Sequence, residues 1–405
     1  MGMAAKNFSS QQSFTLIELL IVIGILAVLV AAVVVALNPA QLLAQARDSK
    51  RMQDLSSLNQ GINTLQALAP NISYGTASTV YVSLVDTTTT CANLGLPVLP
   101  ASLGLSYHCV TSSATLQNTD GTGWLPVDFR QGNGVVQLGA LPIDPVNTTT
   151  SGNYYSYITG GSFALTASFE SSKYQSQESN DGGADPLLYE IGSNISLGGF
   201  AHGLMGYWGF EGNYADGSGL GNTGTAHGST FTAGEKGQGI ALNGSSWVQV
   251  PDASGAFDFS GANTVTAWVK YTGSSAYRGI VVKRDPGTYD NTNWQMDMNP
   301  SNVPAYTVFT AYGSSHAVGV SGGSLSGGAW HFLAGVYDKT NEYFYLDGAL
   351  IASRPLSSSL YTNNIDVYIG GNSSSGYFVG TVDEVRLYDR ALSASEISTL
   401  YSLTK

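Results

Sequence analysis

The carboxylate of Glu18 stands inside the run FTLIELLIVIGILAVLVAAVVVAL, Phe14 to Leu37, which carries no other charge. A carboxylate near the start of a membrane-inserted helix costs about 2.5–3.5 kcal/mol, so its presence marks a use for the charge. Cys91 and Cys109 are the two cysteines. Outside the cytoplasm they read as a disulfide closing a loop of roughly twenty residues, worth about 3 kcal/mol. His108 beside Cys109 is too little for a metal site. Retaining glycosidase chemistry needs two carboxylates about 5–5.5 Å apart on one face. Asp383 and Glu384 are adjacent and face opposite sides of a strand, and His202, His227, His316 and His331 have no partners at a catalytic spacing. The chain therefore reads as a non-enzyme. Rings able to stack on sugars fall in or beside expected loops and strand ends at Tyr277, Tyr289, Trp294, Tyr306 and Tyr312, whereas Trp208, Trp268 and Trp330 fall in strand runs and read as core.

These groups must be held by elements. Leu19 to Leu37 is 19 uncharged residues, roughly 28 Å of helix at 1.5 Å per residue, the thickness of a bilayer's hydrocarbon. Asn38 and Pro39 predict a bend and a restart. Leu55, Leu58, Ile62 and Leu65 then recur at spacings of three and four, extending an amphipathic helix to about Leu68. Lys6 is the only basic side chain before the span, and Arg47, Lys50 and Arg51 follow it. Across 405 residues only 11% are charged, and the net charge is −12 with no basic stripe. Nucleic acid is therefore not an expected partner, and the Gly, Ser, Thr and Tyr content fits a secreted β-rich protein.

From Pro70 to Asn133, Thr- and Ser-rich sequence with short apolar runs such as Val80 to Val85 reads as strands and loops. GALPIDPVN at Gly139 to Asn147 precedes an alternating stretch at Phe163, Leu165, Ala167 and Phe169. From Gly203 onward, β-branched and aromatic runs alternate with turn clusters, which predicts an all-β sandwich. Asp347-Gly348 between two such runs is a hairpin signal, and Ser393 with Glu396 a capping box for a short closing helix.

Position, residue type and helix length make Phe14 to Leu37 resemble the N-terminus of type IV pilins and type II secretion pseudopilins, in which Glu is the fifth mature residue after a cleaved leader. The resemblance implies cleavage between Ser13 and Phe14, N-methylation of Phe14, and pairing of Glu18 with a Phe14 ammonium during filament assembly. Ser13 stands where the family usually has Gly. GALPIDPVN and the strands after it resemble the Pro-Asp-Pro loop of major pseudopilins, a family that often has a calcium loop; Asp181 and Asp185 in SNDGGADP are the residues this carries over. LMGYWGFEG, ALNGSSWVQV, the Trp330 strand and FVGTVDEVRLYDRALSASEI resemble the laminin-G-like, concanavalin-A-like jelly roll. Some members of that fold hold a structural calcium; Asp216 and Asp383 are the positions this carries over, with Asn222 as a further source of oxygen.

The expected fold class is an α+β pilin-like domain with a long N-terminal hydrophobic helix, followed by an all-β jelly-roll sandwich. The segments are a leader (1–13), a transmembrane or filament-core helix (14–37), its amphipathic continuation (38–69), a pilin-like β-rich domain (70–197), a linker (198–202) and the laminin-G-like domain (203–405). The resemblance implies a single-pass membrane precursor that becomes a minor or tip subunit of a type IV pilus or related surface filament. Its partners would be other pilin or pseudopilin subunits, a prepilin peptidase, an inner-membrane assembly platform, and a glycan or surface-protein ligand. The alternatives are a secretion pseudopilin binding exported cargo and a surface-anchored glycan hydrolase.

Overall fold

The computed structural model describes residues 16–405 apart from 70, 98, 100–103, 133, 137, 160, 161, 274 and 275. Ser13 and Phe14, the expected cleavage and methylation point, lie outside the described residues. Helix α1 (Leu16–Leu37) carries Glu18 in its first turn. Its side chains are described over residues 16–30, about 22 Å of helix at 1.5 Å per residue. Among the described residues no helix is long and apolar enough to cross a membrane; the expected uncharged span, Leu19 to Leu37, runs past that stretch.

Asn38 breaks the helix where the sequence predicts. It adopts a left-handed backbone (φ 39°), its side chain accepts from Gln41 N, and Pro39 opens α2 (Pro39–Leu68). Leu55, Leu58, Ile62 and Leu65 of α2 are fully buried, each contributing about 1.5–3 kcal/mol. They pack with Tyr81, Tyr157, Phe163 and Leu165 on one face of a sheet. That sheet runs in the order β2-β1-β3-β4-β5, from strands β1 (Thr79–Val85), β2 (Ser106–Val110), β3 (Ser156–Thr159), β4 (Phe163–Ala167) and β5 (Tyr189–Gly192). Its opposite face carries Val80, Val82 and Ile158 beside the Cys91–Cys109 disulfide. Helices α3 (Ser172–Glu178) and α4 (Ser196–Ala201) complete this first unit.

The basic cluster after the span belongs to this unit. Arg51, fully buried, donates to Asp144 through Nε (2.6 Å) and Nη2 (3.0 Å), and through Nη1 to Asp48 (2.7 Å) and Glu170 (2.6 Å). Arg47 pairs with Glu170 and Lys50 with Asp54. Asp144 comes from GALPIDPVN, so that motif docks the loop onto α2.

The second unit is a sandwich of two sheets. Its strands are β6 (Leu204–Trp208), β7 (Thr225–His227), β8 (Thr230–Ala233), β9 (Gln238–Asn243), β10 (Trp247–Val250), β11 (Asn263–Tyr271), β12 (Arg278–Arg284) and β13 (Thr292–Met298), then β14 (Pro304–Phe309), β15 (Ala317–Ser321), β16 (Trp330–Tyr337), β17 (Asn341–Leu346), β18 (Ala349–Pro355), β19 (Val367–Ile369) and β20 (Val379–Tyr388). One sheet has seven strands, β15-β14-β13-β12-β19-β10-β7. The other has eight, β18-β17-β16-β11-β20-β9-β8, with β6 sharing the edge of β20 with β9. Asp347 (φ 51°) and Gly348 (φ 78°) make the β17–β18 turn, the two positive φ values a type I′ hairpin requires. The capping box of Ser393 and Glu396 opens the final helix α5 (Ala394–Leu403).

The stretch 198–202, expected as a linker, is largely helical, with Gly198 and Gly199 buried. Ala184 and Leu187 of the first unit share a cluster with Leu204, Trp268, Tyr388, Ile397 and Leu400 of the second.

Candidate functional site

The inward residues of the seven-stranded sheet, Val248, Val250, Trp294, Met296, Tyr306 and Val308, fill the sandwich core. Alternation along each strand sends their neighbours to the outer face. Trp294 and Tyr306, expected as ligand contacts, are fully buried core residues. Trp294 is an inward position of β13, in phase with Met296 and Met298 in the same core. Tyr306 fills a gap left by Gly335, where a Cβ would fall 2.1 Å from its ring. Trp208 and Trp268 are core, as expected, and Trp330 is partly buried against the cluster shared by the two units.

The outer face carries a row of rings that sequence reasoning missed. His227 on β7 stacks on Trp247 of β10 (centroids 4.7 Å, interplanar 9°), and Trp247 on Tyr377 (5.2 Å, 27°). All three are half-buried. The signal was present in WVQV: Val248 and Val250 are core residues, so Trp247 and Gln249 point outward. Arg278 fastens the row's end, donating through Nη1 to the Tyr377 carbonyl at 3.0 Å. Tyr277 is 67% exposed, and its backbone carbonyl lies against Gly376, the residue before Tyr377. Tyr312 is also exposed and meets Tyr361 edge-on.

Tyr289 closes over the middle of the same face. Its ring lies 4.1 Å from the Arg284 guanidinium, a cation–π contact. Arg284 donates to the Ser374 carbonyl, and Gln295 donates to Asp297 Oδ2 at 2.8 Å. Burial pushes Asp297 up to about 7, against the opposing pull of Arg284. This group ties the 285–291 loop to the 372–376 loop, which leads into Tyr377.

The carboxylates expected to hold calcium in this unit are occupied by backbone donors. Asp216 accepts from Tyr207 N, Ser218 N and Asn222 N, and Asp383 accepts from Glu235 N, Lys236 N and Glu384 N. Asn222 donates its side-chain amide to the Met205 carbonyl. Glu384 pairs with Arg386 (2.7 Å) and accepts from Tyr207 Oη (2.8 Å). In the first unit, Asp181 accepts from Gly183 N and Glu190 N, and Asp185 from the His202 ring at 2.5 Å. Among the described residues no group of three or more His, Cys, Asp or Glu is arranged to hold a metal ion.

Around Asp185 the acids are crowded. Burial raises Glu178 and Glu190 well above the usual carboxyl range, with Asp181 and Asp185 adding repulsion, and pushes Asp181 up to about 6. Asp185 itself is held down: burial opposes its charge, but His202 and Arg390 outweigh it. Arg390 donates to the His202 carbonyl (2.6 Å), the His202 ring and Glu396 (2.8 Å).

A family profile described as a prokaryotic N-terminal methylation motif matches residues 8–34. A second, described as the concanavalin A-like lectin/glucanases superfamily, matches residues 242–398. The chain therefore joins a prepilin-type N-terminus to a concanavalin A-like jelly roll. No curated protein matches it in sequence. Among solved structures, domain 4 of AbnA, an extracellular arabinanase of Geobacillus stearothermophilus, in complex with arabinotriose, is 22% identical with a TM-score of 0.41, covering 50% of this chain and 98% of that one. The binding domain of Paraclostridial Mosquitocidal Protein 1 is 17% identical with a TM-score of 0.42, covering 49% and 52%.

Proposed function

We propose that this chain is a pilin-like subunit, in a minor or tip position of a type IV pilus or related filament, whose jelly roll binds a surface glycan. The observation that carries the binding half is the row His227–Trp247–Tyr377 beside the exposed Tyr277. Stacked rings on a sheet offer rigid apolar faces to the C–H patches of a sugar, with the polar edges of His and Tyr left for its hydroxyls. Trp247 is the spine; Tyr377 and Tyr277 present the contact faces. No hydrolysis is assigned, because Asp383 and Glu384 are committed to backbone donors and to Arg386. The prepilin motif supports the assembly half, with membrane storage through α1 before Glu18 meets a neighbour's amine.

Two measurements test this reading. Filaments sheared from cells should contain the protein with Phe14 as first residue, and Glu18→Ala should remove it from them. Immobilised polysaccharides should retain the protein without releasing products, and Tyr377→Ala should abolish retention. Retention of an exported protein in place of any polysaccharide would move the chain to the secretion-pseudopilin reading.

A further inference from the structure

A cavity of about 760 Å³ lies between the two units, walled by the sheet face opposite α2 and by the start of α5. Cavities of about 300–1,000 Å³ at domain boundaries are the usual size and place of small-ligand sites. The charges in its wall are already neutralised. Arg390 is spent on Glu396 and His202, and Glu170 on Arg47 and Arg51. What remains is hydroxyl chemistry: Ser168, Ser395 and Thr399 line the space together with Tyr107 and Tyr154. Tyr107 Oη is buried with no hydrogen-bond partner. An unmade bond of this kind is costly, and native structures rarely leave one without a reason.

We infer that this cavity is a second binding site, separate from the outer-face row, for a neutral polyhydroxylated ligand the size of a di- or trisaccharide, with Tyr107 Oη as one of its partners. The match is chemical. Hydroxyls both donate and accept, as sugar hydroxyls do, while a charged ligand would find no unspent counter-charge. Because the walls come from both units, occupancy would also brace the junction.

The test is calorimetric titration of the detergent-solubilised full chain with cellobiose, maltose and N,N′-diacetylchitobiose. At least one should bind with a dissociation constant below about 1 mM. Tyr107→Phe should weaken that binding by about three- to tenfold while leaving the melting temperature of the free protein unchanged or higher, since it deletes an unpaired group. Ser395 is exposed at the first turn of α5, so Ser395→Trp should fold normally, fill the mouth and abolish binding. Tyr377→Ala should leave this binding intact even where it removes polysaccharide retention. The inference is overturned if none of the three sugars binds, or if binding survives both Tyr107→Phe and Ser395→Trp. It is equally overturned if binding disappears with Tyr377→Ala alone.

Discussion

Arg51 sits at 0% side-chain exposure against Asp48 and Asp144 at the same burial. Removing one partner of such a set leaves buried charge uncompensated, so Arg51→Ala should cost about 3–5 kcal/mol in chemical denaturation. Arg51→Lys should recover little, because Asp144 takes two bonds from a planar fork that an ammonium cannot reproduce. On the outer face, Tyr277→Ala should weaken glycan binding by about tenfold and Tyr377→Ala should abolish it, each with melting temperature nearly unchanged. Trp294→Ala, by contrast, should destabilise by about 3–5 kcal/mol. Residue types were legible in the sequence and their partners were not. Asp144 lies 93 positions from Arg51, and only the folded sheet brings them together. Trp247 was readable from its phase against Val248 and Val250, whereas Trp294 was misplaced because the turn-rich stretch before it hides where β13 begins.

Local signals carried more at the level of elements. Asn38-Pro39, Asp347-Gly348 and the Ser393–Glu396 box each act over a few residues, and each appears where expected. The helical conformation of 196–201 was not legible, since a Gly-containing stretch takes its order from the surfaces on either side. The acids around α3 and β5 give this level its pH dependence. Asp181 has an ordinary value of 3.8 and sits at about 6 when folded, through burial offset by the N–H groups of Glu190 and Gly183. Burial likewise pushes Asp383 and Asp389 up to about 7. Folding favours the protonated forms, so their stabilising contribution is full below the unfolded value and is lost as pH rises through 6 to 7. Glu396 works the other way: burial opposes its charge but Arg390 holds it at about 2, so its contribution fades only toward that acidic limit. The melting temperature should therefore rise as pH is lowered from about 7.5 to 5.5, with chelator making no difference. If millimolar calcium instead raised it by several degrees at about pH 7.5, these carboxylates would have to be ionised around a cation.

At the level of the whole molecule, the cluster joining Ala184 and Leu187 to Leu204, Trp268 and Tyr388 makes one folded body of the two units. Differential scanning calorimetry of the full chain should show a single transition, and two transitions separated by more than about 5 °C would contradict a shared core. The sequence showed two architectures in series through their change of period and texture, but nothing in it reported that they are welded. Strand β6 leaves the junction and α5 returns to it, so the jelly roll is gripped at both its beginning and its end, with Arg390 bracing His202 and Glu396 between them. A tug on the distal rings would therefore reach α2 through a stiff strut with two anchorage points, where a single pliant leash would swing. For the proposed subunit, a head held in this way would keep the ring row pointed in one direction relative to α2.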